Sequence, residues 1–289
     1  VALEVAEWLG AEIVSVDSMQ VYRGMDVGTA KPAAADRERV PHHLIDIVEP
    51  EHAFTVAEFQ AAGRRVLADL RRRSVPALVV GGSGLHFRSL VDPLEFPPSD
   101  AEVRAEIEAL GPEAAVEALV ADDPEVGAVV DLQNPRRVTR ALEIFRLTGR
   151  TPSERAATEE AEAVRSYRSL FPLTVVGFDP GERLRDRVQQ RFGSMISAGL
   201  VEEVRVLAPR LGPTASKAVG YREVLAAIEG ELPLDRAIDA AVDASCSLAG
   251  RQRTFFRRDP RVRWLEWDDD ADTRVDTAKN ALQEAGWTS

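Results

Sequence analysis

A single cysteine, Cys246, stands among 289 residues, so no internal disulfide can form and no cysteine spacing for a metal exists. The residue reads as a reduced, buried thiol. No apolar run approaches the roughly 20 residues that span a bilayer, and no basic stretch precedes an apolar one as in a secretory leader. These absences place the chain in the cytoplasm with no membrane partner. An excess of positive charge is missing too: the net charge of −12 argues against indiscriminate phosphate binding. Three local clusters run against that balance, namely Arg136, Arg137 and Arg140; Arg183, Arg185, Arg187 and Arg191; and the stretch from Arg251 to Arg263. Any one of them alone reads first as a solvated helix face.

What remains is ordinary for a globular protein, with 45% hydrophobic and 29% charged residues and length for one large domain or two modest ones. "VALEVAEWLG" carries an apolar stripe at Val1, Val5, Trp8 and Leu9, so the sequence opens inside a helix. "EIVSV", "HLIDIV", "PALVV" and "PLTVVGF" read as strands, with "VRWLEW" as a last one. Thr55 and Glu58 suit a capping box, "SDAE" suggests another, and "NPRR" offers Asn134 as cap with Pro135 at the first helical position. From Pro97 to about Ala161 the pattern is helical without strands, and a long helix is expected from about Leu234 to Arg258. The order suggests a mostly parallel α/β sheet interrupted by a helical insertion, with residues 1–98 and 162–289 as core and 99–161 as insertion.

Two strand ends carry unusual chemistry. "SVDSMQVYRGMDVGTAKP" places Asp17, Ser18 and Gln20 just past an apolar run, where an open α/β sheet keeps its ligands. "GGSGLH" follows "PALVV" and sets one hydroxyl, Ser83, among glycines that let backbone approach a ligand. Each feature alone is also compatible with a plain turn.

Together, "VDSMQVYRGMDVGTAKP", "VPHHLID", "VVGGSGLH", "NPRRVTRALEI", "KAVGYREV" and "GRQRTFFRR" occur in this order along nearly the whole chain. In these stretches the sequence resembles the tRNA dimethylallyltransferases, also called tRNA isopentenyltransferases. The resemblance implies a P-loop NTPase-like α/β core with a helical insertion that clamps the tRNA anticodon stem-loop. It also implies transfer of a dimethylallyl group from dimethylallyl diphosphate to N6 of adenine 37, with magnesium, by a monomeric enzyme. Asp17 then takes the role of general base toward the weakly nucleophilic exocyclic amine. Gln20 offers a donor and an acceptor of the kind that pairs with an adenine edge. Ser83 and Lys217 are the candidates for stabilising the departing diphosphate. The surface facing tRNA is implied to include Asp17, Ser18, Met19 and Gln20; Arg104, Arg136, Arg137, Val138, Thr139 and Arg140; Lys217, Gly220, Tyr221 and Arg222; and Arg251, Gln252, Arg253, Thr254 and Arg257.

Several positions depart from the family pattern: Ser83 stands for the common Thr, Lys217 for Arg, His86 for Tyr, Gly250 for Lys and Phe255 for Trp. A larger departure concerns the phosphate loop, Gly-x-x-x-x-Gly-Lys-Ser/Thr, with which family members begin and which this sequence lacks. The expectation is a piece of a longer protein that on its own binds tRNA weakly and turns over little. Two other readings stand beside the first: an adenylate isopentenyltransferase acting on free nucleotides, for which the arginine-bearing insertion has no evident purpose, and a tRNA-binding protein without catalysis.

Overall fold

A computed structural model describes residues 1–288 and resolves two compact units. One is formed by residues up to Leu90 together with those from Pro172 onward, the other by Val91–Phe171.

The first unit opens with helix α1 (Ala2–Leu9), closed by Gly10 in the left-handed conformation, and continues into strand β1 (Glu12–Ser15). Helix α2 (Ala34–Arg39) leads to β2 (His42–His43), and α3 (Val56–Arg72) to β3 (Ala77–Val80) and α4 (Gly84–Val91). β1 lies between β2 and β3, parallel to both, and its Ile13, Val14 and Ser15 are all buried, as expected of a strand covered on both faces. Of the expected strand "HLIDIV", only His43 lies in β2. Leu44 and Asp46 turn to φ of 64° and 55°, a left-handed backbone that cannot continue a ladder. Asp46 is held there by Lys31 at 2.5 Å and Arg37 at 2.7 Å. The chain rejoins its neighbour at one bridge between Tyr22 and Val48. The Thr55–Glu58 capping box forms as expected.

In the second half of this unit β4 (Val175–Phe178) pairs in parallel with β5 (Val262–Leu265) as a separate two-stranded sheet. Between the strands come α10 (Leu184–Ser197), α11 (Leu200–Leu207), α12 (Tyr221–Ile228) and α13 (Leu234–Phe256); α14 (Ala271–Glu284) follows β5. The long helix α13 thus ends slightly before the expected Arg258. Val5, Ala278 and Leu282 pack with Leu78, Phe178 and Leu265, so α1 and α14 share one apolar cluster with residues of both sheets. Cys246 on α13 is only half-buried, more open than the sequence suggested.

An ion cluster fastens the start of β1. Glu12 takes hydrogen bonds from Arg73 and His43, and the Arg73 guanidinium, with burial opposing it, holds the Glu12 carboxyl down at about 2 from 4.5. Because the folded value is depressed, the stability this carboxylate contributes is present above about pH 4.5 and is lost as pH falls toward 2. It amounts to on the order of 2 to 3 kcal/mol. Glu12→Gln is therefore expected to lower the urea midpoint at pH 7 and to flatten its acid fall between those values; an unchanged acid limb would refute the assignment.

The second unit is all-helical among its described residues, with α5 (Ala101–Leu110), α6 (Pro112–Asp122), α7 (Pro135–Thr148), α8 (Pro152–Ala156) and α9 (Glu159–Arg165). Its core gathers Ile107, Leu119, Val126, Val138 and Leu142. Asn134 caps α7 over Pro135, as the sequence indicated. At α5 the cap is Asp100 rather than Ser99, because the Asp100 carboxylate accepts from the Glu102 and Val103 N–H groups. The unit is wider at both ends than 99–161: α9 crosses the expected boundary, and the Leu170 N–H donates to the Val91 carbonyl at 2.8 Å, tying its ends together.

Candidate active site

Past the end of β1 the chain folds into an Asx turn. Asp17 Oδ1 accepts the Met19 N–H at 2.7 Å and the Gln20 N–H at 3.2 Å. Its second oxygen, Oδ2, has no hydrogen-bond partner among the described residues, which leaves one carboxylate oxygen oriented and available. The adjacent Gln20 does not fit the adenine-edge reading. Its Oε1 accepts from the Ser15 hydroxyl at 2.9 Å, and its Nε2 donates to the Thr29 carbonyl at 3.1 Å, with Ala30 next at 3.4 Å. Both ends of the amide are spent inside the fold.

The glycine-rich turn after β3 lies against this strand end. The Ser83 N–H donates to the Val16 carbonyl at 3.3 Å. A Cβ on Gly81, at φ 152°, would lie 2.7 Å from that same carbonyl oxygen. At Gly82 and Gly84 the obstacles come from α13: added Cβ atoms would meet the Gln252 amide at 2.6 Å and the Phe255 ring at 2.2 Å. The glycines thus admit the last turns of α13, and Gln252 is a neighbour of this turn, a placement its spacing did not reveal.

Ser83 Oγ and His86 Nδ1 are 2.7 Å apart, and the His86 ring stands edge-on to Phe59 at 4.5 Å between centroids. Burial pushes the His86 imidazole below the ordinary histidine range, with the Asp17 charge opposing, so it is neutral at pH 7. Arg191 on α10 is exposed overall, yet its guanidinium is desolvated enough to be lowered, again with Asp17 acting the other way. Ser83 and His86 are in direct contact, and the Asp17 charge acts on both His86 and Arg191. In the sequence Arg191 reads as one of a solvated cluster; that the Asp17 charge acts on it emerges only in the fold.

The remaining candidates divide. Lys217 is exposed in a short turn, and no hydrogen bond or ion pair joins it to Ser83 or Asp17 among the described residues. Ser18 and Met19 are half-buried, and Arg251 and Thr254 are exposed on α13. Arg222 is exposed and pairs with Glu223. Arg253 and Arg257 both hold Asp179, at 2.6 and 3.3 Å. Burial would raise Asp179, but the Gly181 N–H and the Arg253 guanidinium outweigh it and keep the carboxyl below its usual range. Gly220 and Tyr221 are corrected outright: both are buried, and the Tyr221 hydroxyl donates to Glu203, so neither presents a surface to tRNA.

In the helical unit, Arg136 and Arg137 are exposed and Thr139 is half-buried, whereas Val138 is 1% exposed and belongs to the core. Arg140 is also corrected. Its guanidinium donates to the Pro97 carbonyl at 2.7 Å, the Pro98 carbonyl at 2.9 Å and Glu143 at 2.7 Å, so three of its five N–H donors are engaged within the unit. Arg104 donates to the same Glu143 at 3.0 Å. Arg104, Arg136, Val138, Thr139 and Arg140 line one cavity of about 510 Å³.

No cluster of three or more His, Cys, Asp or Glu side chains able to hold a metal occurs among the described residues. The donor set among the described residues does not build a protein cage for magnesium.

Parallel strands with a free carboxylate oxygen and a glycine-rich turn at their ends define a ligand-binding α/β protein. A family model described as IPP transferase matches residues 20–259, and the chain belongs to that family. Among its relatives, the tRNA dimethylallyltransferase of a Nocardioides species is 44% identical, covering 93% of this chain and 87% of the relative. That of Geobacter metallireducens is 43% identical, covering 96% and 91%. The crystal structure of the full-length tRNA isopentenylpyrophosphate transferase from Bacillus halodurans superposes with a TM-score of 0.70 at 34% identity, covering 99% of this chain and 90% of that one. A eukaryotic dimethylallyltransferase, crystallised acting on tRNA, shares the fold with a TM-score of 0.77 at 21% identity, covering 98% and 76%.

Proposed function

We propose that this protein is an enzyme that transfers the dimethylallyl group of dimethylallyl diphosphate to N6 of adenine 37 in tRNA, releasing diphosphate. The observation that carries the reading is the Asp17 carboxylate, fixed through Oδ1 by two backbone N–H groups while Oδ2 stays open, in a chain whose relatives are named for this reaction over most of their length.

The N6 nitrogen forms a bond to the allylic carbon as the carbon–oxygen bond to diphosphate breaks, and one N6 proton passes to Asp17. The exocyclic amine is weakly basic, so removing its proton as the C–N bond forms avoids a high-energy ammonium. With neutral His86 protonated at Nδ1 and donating to Ser83 Oγ, the single Ser83 O–H is left to donate to the departing diphosphate. Arg191, on which the Asp17 charge acts, adds positive charge of the sign that the leaving group needs. Lys217, exposed and without an ion pair among the described residues, completes the cationic side when substrate is bound. Magnesium bound with the diphosphate would neutralise part of its charge; no side-chain cluster among the described residues would hold it.

The nucleic-acid partner is the anticodon stem-loop, which presents the adenine in an unpaired loop from which a base can be splayed out. The exposed Arg136 and Arg137, Arg251 and Arg222 supply phosphate contacts. The protein acts as a monomer in the cytoplasm, and no helix among the described residues is long and apolar enough to cross a membrane. Incubating the full-length protein with tRNA, magnesium and dimethylallyl diphosphate and quantifying N6-dimethylallyladenosine after nuclease digestion tests the reading. Stem-loop binding without product would leave a tRNA-binding protein; product on free AMP but not on tRNA would make it an adenylate transferase.

A further inference from the structure

The loop that follows the Asp17 turn is clamped by a carboxylate remote in sequence. Glu203, on α11, receives four donors: its Oε2 accepts the Asp26 N–H at 2.9 Å and the Val27 N–H at 2.7 Å, and its Oε1 accepts the Gly28 N–H at 3.0 Å together with the Tyr221 hydroxyl. Tyr221, on α12, is fully buried. Its ring lies so close to Gly28 that an added Cβ there would sit 2.4 Å from it and 2.8 Å from Leu200. The far end of the loop is pinned by Lys31, 1% exposed at its side chain, which reaches the Tyr22 carbonyl, Asp26 and Asp46. Two carbonyls of this clamped loop, Thr29 and Ala30, receive the Gln20 side-chain amide, and the Gln20 backbone N–H donates to Asp17 Oδ1.

We propose that Glu203 is a positioning residue for the transfer reaction: with Tyr221 it fixes loop 26–30, the loop fixes the Gln20 side chain, and Gln20 fixes the turn that aims the Asp17 carboxylate. The inference rests on the prenyl-transfer reading above. It accounts for two features that no substrate role explains, a buried tyrosine hydroxyl spent on a carboxylate and a half-buried glutamine amide spent on loop carbonyls. A carboxylate accepting three consecutive backbone N–H groups holds the loop to a fraction of an ångström, and a general base displaced by about 1 Å can lose about 10²-fold in rate.

Glu203→Gln keeps the shape but turns one acceptor into an N–H₂ group that faces a donor, leaving at least one backbone N–H unpaired. The expected result is faster amide hydrogen exchange at Asp26, Val27 and Gly28 by about 10-fold or more, a single-turnover rate reduced by about 10- to 10²-fold, and tRNA affinity within about 2-fold of wild type. Because Glu203 acts through Asp17, adding Glu203→Gln to Asp17→Asn should reduce the residual rate no further. A rate loss repeated in full in the Asp17→Asn background, or faster exchange with an unchanged rate, overturns the proposal. If Glu203→Gln does not fold, Tyr221→Phe decides. It keeps the ring against Gly28 and removes one donor, so a rate lowered a few-fold with the same non-additivity supports the proposal and an unchanged rate overturns it. A wild-type protein that makes no prenylated tRNA would refute the functional reading instead, independently of the exchange data.

Discussion

Asp17→Asn is expected to lower the rate of dimethylallyl transfer by about 10² to 10⁴ while leaving tRNA affinity within about 2-fold of wild type. Asparagine preserves Oδ1 as the acceptor for the Met19 and Gln20 N–H groups, so the turn should persist, and with it the placement of the strand end. What disappears is the basic oxygen. The amide nitrogen that replaces Oδ2 cannot take a proton from N6, and it adds a donor where an acceptor is needed. The measurement is a single-turnover time course with saturating enzyme, beside equilibrium binding of an anticodon stem-loop. A variant that loses binding and rate together would make Asp17 a structural acceptor, and a variant retaining the full rate would move the base elsewhere. Asp17→Ala separates the two contributions further, since it removes the turn acceptor as well. It should bind tRNA less well than Asp17→Asn, by the amount the collapsed turn costs.

The sequence pattern made the site's residue types legible before the structure, and left their division of labour hidden. Asp17 and Ser83 are legible because polar side chains at the ends of apolar strands need a reason to be there. Gln20 is misread for an equally physical reason: a side chain able to pair with adenine is also able to pair with Ser15 and the Thr29 carbonyl, and nothing in a linear sequence says that residues 9 positions apart meet. Tyr221 follows the same logic, its hydroxyl being satisfied by Glu203, 18 positions away. Local signals fare best where the physics is local: the capping box at Thr55 and the Asn134–Pro135 start of α7 stand as read. "HLIDIV" fails as a strand because ion pairs from Lys31 and Arg37 to Asp46 accompany a left-handed turn that propensity alone would not choose.

Arg140→Ala is expected to cost the helical unit about 3 kcal/mol of stability, whereas Arg136→Ala with Arg137→Ala should cost less than about 0.5 kcal/mol and weaken tRNA binding instead. The three arginines fall close together on α7, yet their surroundings differ. Glu143 is 0% exposed, and burial alone would raise its carboxyl; Arg140, the Asp100 N–H and Arg104 outweigh it and keep it charged. Removing Arg140 leaves that buried charge with Arg104 as its one remaining cation among the described residues and frees the Pro97 and Pro98 carbonyls. The cost of breaking a buried pair is dominated by the charge left behind. Arg137, by contrast, is 3.7 Å from Asp131 on an open surface, and Arg136 has no ion pair among the described residues, so both are free to meet phosphates. Deleting one arginine–phosphate pair should reduce the slope of log K against log salt by about 0.7 to 0.9. Urea unfolding and salt-dependent binding of the same variants distinguish the cases. A stable Arg140→Ala protein with a shallower salt slope would return Arg140 to the tRNA surface. If the buried charge is the cause, Glu143→Gln added to Arg140→Ala should restore part of the missing stability.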